Sequence, residues 1–119
     1  MKITNKAKIA ISAVRFLGEN TDRNHNTKQV AEQINASHLF VSSILVELSK
    51  QNFITAIKGP GGGYKLIKDY SKITIVDVLN AVNEEINTKG LGTKFFSDST
   101  AIMLNEAIKG ALNKKIKEL

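Results

Sequence analysis

The residues in this chain best suited to molecular recognition are a run of glycines and the lysines beside it. Gly59, Pro60, Gly61, Gly62 and Gly63 hold four of the eight glycines and the only proline of the sequence, and Tyr64 follows them. Three consecutive glycines present backbone N–H groups with no side-chain bulk in front of them. Such a loop can lie close against a phosphate backbone or inside a minor groove. Lys58 and Lys65 flank it with positive charge, which adds affinity more than sequence preference. A nucleotide-cradling loop would instead need Gly-x-x-x-x-Gly-Lys and then Ser or Thr, between a strand and a helix. Here strand-like residues stand on both sides and no Lys-Ser or Lys-Thr follows the last glycine. A tight hairpin with no ligand is the remaining alternative.

A second set lies upstream, in Ser37, His38, Leu39, Phe40, Ser42 and Ser43. Serine hydroxyls donate to or accept from several bases and so discriminate weakly, whereas Leu39 can meet a thymine methyl. His38 has no clustered partner, so a DNA-facing place suits it better than metal binding or pH sensing. Phe40 fits the core as well as it fits a contact. Thr27, Lys28 and Gln29 open a further helix, where free N–H groups favour phosphate. Lys2, Lys6 and Lys8 can reach a flanking backbone or simply form a solvated basic face.

Other chemistries find little support. The chain has no cysteine, which removes disulfides, thiol redox sensing, iron–sulfur ligation and Cys-based zinc sites together. His25 and His38 are the only imidazoles, too few for a His-rich metal site. No nucleophile–base pair or carboxylate pair stands out, and Asp77, Glu84 and Glu85 read as a helix cap and solvated surface. No enzyme activity, metal or cofactor is expected.

The elements that must position these residues follow from periodicity. Ala7, Ala10, Ile11, Val14 and Leu17 recur at helical spacing, predicting a helix over 4–19 capped by Thr4 or Asn5. Thr27 reads as the cap of a short second helix with Val30, Ala31 and Ile34 inward. Asn35-Ala36 breaks the pattern. Ser37 then caps a third helix to about Gln51, with Val41, Ile44, Leu45 and Leu48 as its apolar stripe. Two helices so closely joined are a helix-turn-helix, in itself a weak sign of DNA binding. The period changes at Phe53–Lys58, a β-branched strand, and Tyr64–Ile67 reads as its return. A glycine-rich hairpin after a helix-turn-helix is the wing of a winged helix. Asp69–Lys72 links to a fourth helix with Thr74 as N-cap, Asp77 completing a capping box, and Ile75, Val78, Leu79 and Val82 inward.

Residues 97–117 predict a long helix. Ala101, Leu104, Ala107/Ile108, Ala111/Leu112 and Lys115 trace a near-heptad seam with Ile116 adjoining it. Twenty-one residues would span about 31 Å, longer than the core beneath could cover. The helix therefore calls for a second copy of the chain, with Ala101, Leu104, Ile108, Ala111 and Leu112 at the dimer seam and Gly110 allowing close approach. The expected division is a winged helix-turn-helix over 1–83, and a linker and dimerisation helix over 84–119.

Length and charge agree with this plan. At 119 residues the chain has room for one modest core. No apolar run approaches the roughly 20 residues that span a bilayer. The first residues lack the apolar stretch of a signal peptide, which predicts a cytoplasmic protein. The net charge is +6, and residues 1–72 carry all of it, with eleven Lys/Arg against five Asp/Glu; residues 73–119 carry six of each. A basic lobe favours a polyanion, because neutralising phosphates releases counterions.

Gly-Pro-Gly-Gly-Gly-Tyr at 59–64 resembles the wing of the Rrf2 family of bacterial regulators. The likeness continues in Met1–Ala7, Val30–Ile34, the Ser37 helix start, Leu45–Leu48, Phe53-Ile54 and Ile73–Val78, in the same order over roughly residues 1–83. It implies a homodimeric winged-helix protein on a pseudo-palindromic operator, usually a repressor, with the third helix in the major groove and the wing in the adjacent minor groove. Iron–sulfur members place three cysteines after the fourth helix; the equivalent stretch here, about 84–97, is shorter and has none. Those members often carry Glu and Gln where this chain has Ser42 and Ser43, so their operator does not transfer. The resemblance therefore implies a sequence-specific transcription regulator without a cluster. The alternative is a winged-helix module that binds another protein. An unidentified small-molecule or protein effector has room between the lobe and the long helix, with no motif to identify it.

Overall fold

The computed structural model describes residues 4–84 and 114–119. Helix α1 (Asn5–Glu19) starts where the Thr4 hydroxyl accepts the Ala7 N–H at 3.1 Å, satisfying one of the donors that a helix start leaves unpaired. Its buried face comprises Ala7, Ile9, Ala10, Ala13, Val14 and Leu17, while Ile11, expected inward, is half-buried. Helix α2 (Thr27–Ile34) is capped one residue earlier than the sequence suggested, by Asn26 rather than Thr27. The reason is a reciprocal capping box. The Asn26 side chain accepts the Gln29 N–H, and the Gln29 side chain accepts the Asn26 N–H, both at 2.8 Å.

Asn35 ends α2 in the left-handed region at φ 54°, and the Ala36 N–H donates back to the Ala31 carbonyl at 3.0 Å. This tight turn delivers Ser37 as the cap of α3 (His38–Lys50), its hydroxyl accepting the Phe40 N–H at 3.2 Å. Val41, Ile44, Leu45 and Leu48 are buried, as their spacing predicts. Strands β1 (Ile54–Ile57) and β2 (Gly63–Leu66) form an antiparallel hairpin with Ile54 opposite Leu66 and Ile57 opposite Gly63. The first strand is one residue shorter at each end than predicted, and the second starts and ends one residue earlier. Phe53 lies outside the ladder because its N–H donates to the Leu48 carbonyl at 3.1 Å, although its own carbonyl still accepts the Ile67 N–H at 2.9 Å.

A 3₁₀ turn (Tyr70–Lys72) replaces the expected plain link. Asp69 starts it by accepting the Ser71 hydroxyl at 2.7 Å and the Ser71 N–H at 3.0 Å. The hydroxyl and then the N–H hold its carboxyl below the ordinary aspartate range. The Tyr70 ring lies over Gly18, where any Cβ would collide with it. Burial, then the charge of Glu19, raises the Tyr70 phenol above its usual range. Helix α4 (Ile75–Ala81) carries the predicted Thr74–Asp77 capping box, with bonds of 2.9 and 3.2 Å. Val78, Leu79, Ala81 and Val82 are buried, and Ile75 only partly so.

The end of the chain departs from expectation. A helix to Lys117 was predicted, yet Lys115 pairs with Thr74 as a β-bridge and Ile116–Glu118 form a 3₁₀ turn. The Ile75 N–H donates to the Lys114 carbonyl at 3.0 Å, and the Ile116 N–H to the Ile73 carbonyl at 2.9 Å. Ile116 is fully buried in the main core rather than adjoining a helical seam. Two backbone bonds and a buried isoleucine favour this path over a last helical turn that would leave Ile116 outside. Ala101, Leu104, Ile108, Gly110, Ala111 and Leu112 lie outside the described residues. Among the described residues no helix is long and apolar enough to cross a membrane.

If the terminal turn belongs to the core, Ile116→Ala costs about 2–5 kcal/mol, as other buried large-to-small changes do. Urea unfolding measures this; a loss below about 0.5 kcal/mol would show that the turn only rests on the surface.

Candidate nucleic-acid interface

The buried stripe of α3 fixes which residues it presents. With Val41, Ile44, Leu45 and Leu48 in the core, His38, Leu39, Phe40, Ser43 and Val46 are exposed and Ser42 is half-buried. Leu39 is 84% exposed, so nothing in this lobe uses it. Phe40, which the sequence left between core and contact, lies at the exposed edge beside Asn5, Ser37 and Ser43. Ser37 has a structural duty as the α3 cap. At the α2 start, Lys28 is exposed and Thr27 half-buried, while the Gln29 side chain is held by its capping bond.

Each wing glycine answers to a different backbone constraint. Gly59 and Gly61 have φ of 94° and 73° with open space around them, so the turn conformation requires them. Gly62 donates its N–H to the Gly59 carbonyl at 2.9 Å, and a Cβ on it would run into the Ile57 carbonyl. Gly63, at φ 141°, has the backbone of His25 and Asn26 within 2.5–2.7 Å of where its Cβ would stand. The tip is thus free of bulky side chains apart from the Pro60 ring. Lys58 and Lys65 are exposed at its base. Tyr64 does not belong to the tip: its half-buried side chain packs against the core and its backbone is bonded to His25.

His25 is the positioning residue that sequence reading missed. Its N–H donates to the Tyr64 carbonyl at 3.1 Å, and its carbonyl accepts the Tyr64 N–H at 2.7 Å. The buried imidazole has Nε2 3.0 Å from the Asn20 carbonyl and meets the Phe16 ring edge-on at 4.7 Å. Asn24 adds a bond from Nδ2 to the Gly61 carbonyl at 3.3 Å. The loop before α2 therefore clasps the wing, and Arg23, Asn26 and Gln29 share a crevice with the wing glycines. The polar run 20–26 gave no local sign of this, because the partner strand lies far along the chain.

The charges sort into paired and unpaired groups. Lys6 lies 3.1 Å from Glu47 Oε2, a buried oxygen that meets no other polar group. Lys6 therefore serves Glu47 as a counter-charge. Arg15, Arg23 and Lys72 pair with Glu19, Asp22 and Asp69. Lys8, Lys28, Lys58 and Lys65 form no ion pair with a described residue. Lys2 lies outside the described residues.

A helix-turn-helix whose second helix turns its outer face to solvent, followed at once by a glycine-tipped hairpin, defines a winged-helix regulator. The fold matches CymR of B. subtilis with a TM-score of 0.80 at 19% identity, over 98% of this chain and 94% of that one. A family model described as "Rrf2: Iron-dependent Transcriptional regulator" matches residues 3–119. The chain belongs to the Rrf2 family. It is 29% identical over 108 residues to a putative HTH-type transcriptional regulator of Haemophilus influenzae, covering 89% of this chain and 72% of that protein. It is 28% identical over 88 residues to the HTH-type transcriptional regulator IscR of Escherichia coli, covering 73% of this chain but only 54% of that protein. The chain thus spans about half the length of IscR. The family and these relatives are transcription regulators, not enzymes.

The iron in the family's description does not fit this chain as a thiolate-held cluster. The sequence has no cysteine, and the described residues contain no group of three His, Asp or Glu side chains able to hold a metal.

The clasp makes the wing glycines unequal. Gly61→Ala should cost about 1–2 kcal/mol, the usual penalty of a left-handed alanine, whereas Gly63→Ala should cost more, because its Cβ would meet backbone that cannot swing away. Thermal unfolding of the two variants checks the order, and equal Tm losses would contradict the clasp.

Proposed function

We propose that this protein is a homodimeric repressor that binds a pseudo-palindromic operator, with α3 in the major groove and the wing in the adjacent minor groove. The observation that carries the reading is the outer face of α3, with His38, Leu39, Phe40 and Ser43 all turned to solvent ahead of a wing tip with little side-chain bulk. The N-terminal half of such a helix is where base edges are met. Lys28, Lys58 and Lys65 supply phosphate contacts, as do the N–H groups at the α2 start. The charge surplus of the first 72 residues supports a polyanionic partner. A second copy joins through the segment 84–119, where the apolar spacing of Ala101, Leu104, Ile108, Ala111 and Leu112 provides a seam. A regulator of bacterial transcription works in the cytoplasm, where the chromosome lies. The family's relatives named as transcriptional regulators support the reading.

Salt separates this function from a protein-binding winged helix. Affinity for duplex DNA should fall steeply as salt rises, and Lys58→Ala and Lys65→Ala should each reduce the slope of log K against log salt by about one. Fluorescence anisotropy across a salt series measures this, and salt-indifferent binding defeats the proposal. Sedimentation at micromolar concentration should show a dimer; a monomer would remove the palindromic part.

A further inference from the structure

We infer that Leu39 reads the C5-methyl group of thymine, so that the first half of α3 recognises each half-site by methyl contact and not through a charged or amide side chain of its own. The inference rests on the DNA-binding reading and adds what that surface selects.

The inventory of α3 is the starting point. From His38 to Val46 the helix holds no Arg, Lys, Asn, Gln, Asp or Glu. Those side chains make the strongly discriminating base contacts: Arg or Lys on guanine, Asn or Gln on adenine, a carboxylate on the cytosine amino group. The polar groups available are His38, Ser42 and Ser43, and Ser42 is half-buried. The first formal charge, Glu47, is neutralised by Lys6 at 3.1 Å. It cannot reach forward as a reader without abandoning its counter-charge.

What α3 does offer is apolar. Leu39 is 84% exposed one residue into the helix, with Phe40 36% and Val46 42% exposed. Leu39, Phe40 and Ser43 line one shallow hollow with Asn5 and Ser37. An aliphatic side chain gains from leaving water only against another apolar group. Among the major-groove edges of the four unmodified bases, the thymine methyl is the only such group. Leu39 sits in the first turn of α3, which a recognition helix points at the bases. The serines around it add hydrogen bonds that several bases satisfy, leaving the methyl contact to decide.

The test uses the full chain and duplexes it selects from a random library. Each thymine of a selected site is replaced in turn by uracil, which removes only the methyl. Wild-type protein should lose roughly five- to tenfold in affinity at one or two positions per half-site, in line with modest single-contact discrimination. Leu39→Ala should bind the thymine duplex weaker by a similar factor and no longer distinguish thymine from uracil at those positions. Its circular dichroism should match the wild type, since an exposed Leu→Ala change in a helix leaves the core intact. Selected sites where uracil costs nothing, or a Leu39→Ala protein that keeps the full uracil penalty, overturn the assignment while DNA binding stands. Failure to retain any duplex in a salt-dependent way overturns the assignment together with the reading beneath it.

Discussion

Close packing on the small-residue face of α1 is the constraint on which the other elements depend. Ala7, Ala10 and Ala13 are essentially inaccessible to solvent. Their small side chains let neighbouring backbones come near, and Val14 and Leu17 fill what remains. Helices α2, α3 and α4, strand β2 and the terminal 3₁₀ turn all contact this one helix. A core this small is sensitive to single methylene groups, because interior packing approaches that of an organic crystal. The outward direction of Leu39 and Ser43 is therefore set from inside. Rotating α3 to turn them inward would pull Val41, Ile44 and Leu48 out of the core.

Much of the fold was legible because it is written in local periods. The α3 stripe, the Ser37 and Thr74 caps, and the change of period at the hairpin depend on residues within a turn or two of each other. The glycine run was legible for a similar reason, since a five-residue turn with four glycines has few structural uses. What escaped detection depends on partners distant in sequence. His25 shows no positioning role in the sequence; the role rests on its backbone meeting Tyr64. Gly18 lies next to the last residue of α1, and nothing near it in sequence tells that its missing Cβ makes room for Tyr70. Lys6 reads in the sequence as a backbone contact or a solvated cation, and its pairing with Glu47 shows only in space. Ile116 fits a heptad as well as it fits a core, and only the backbone of Ile73 and Ile75 decides between them. The Asn26 cap differs from these: it is local, but Asn-Thr offers two good caps in a row, and the reply of Gln29 selects the first.

The electrostatics of the lobe are selective rather than diffuse. Several basic residues are tied to carboxylates near them, and exposed pairs of that kind add little stability. Their effect is to remove those cations from the surface available to a polyanion. Among the cations without an ion pair to a described residue, Lys58 and Lys65 stand at the wing base and Lys28 at the α2 start. Positive charge thus frames α3 without occupying its reading face. On the proposed function, orientation on a duplex and choice of sequence fall to different side chains.

The wing tip has one more consequence. From Gly59 to Gly63 its shape is enforced by a backbone bond, the clasp at His25 and three positive φ angles, and it displays only a proline ring. It has no side chain that titrates, oxidises, binds metal or accepts a modification. The tip is therefore chemically mute. What holds the wing in place is its mounting, where the His25 backbone and the Asn24 amide meet it.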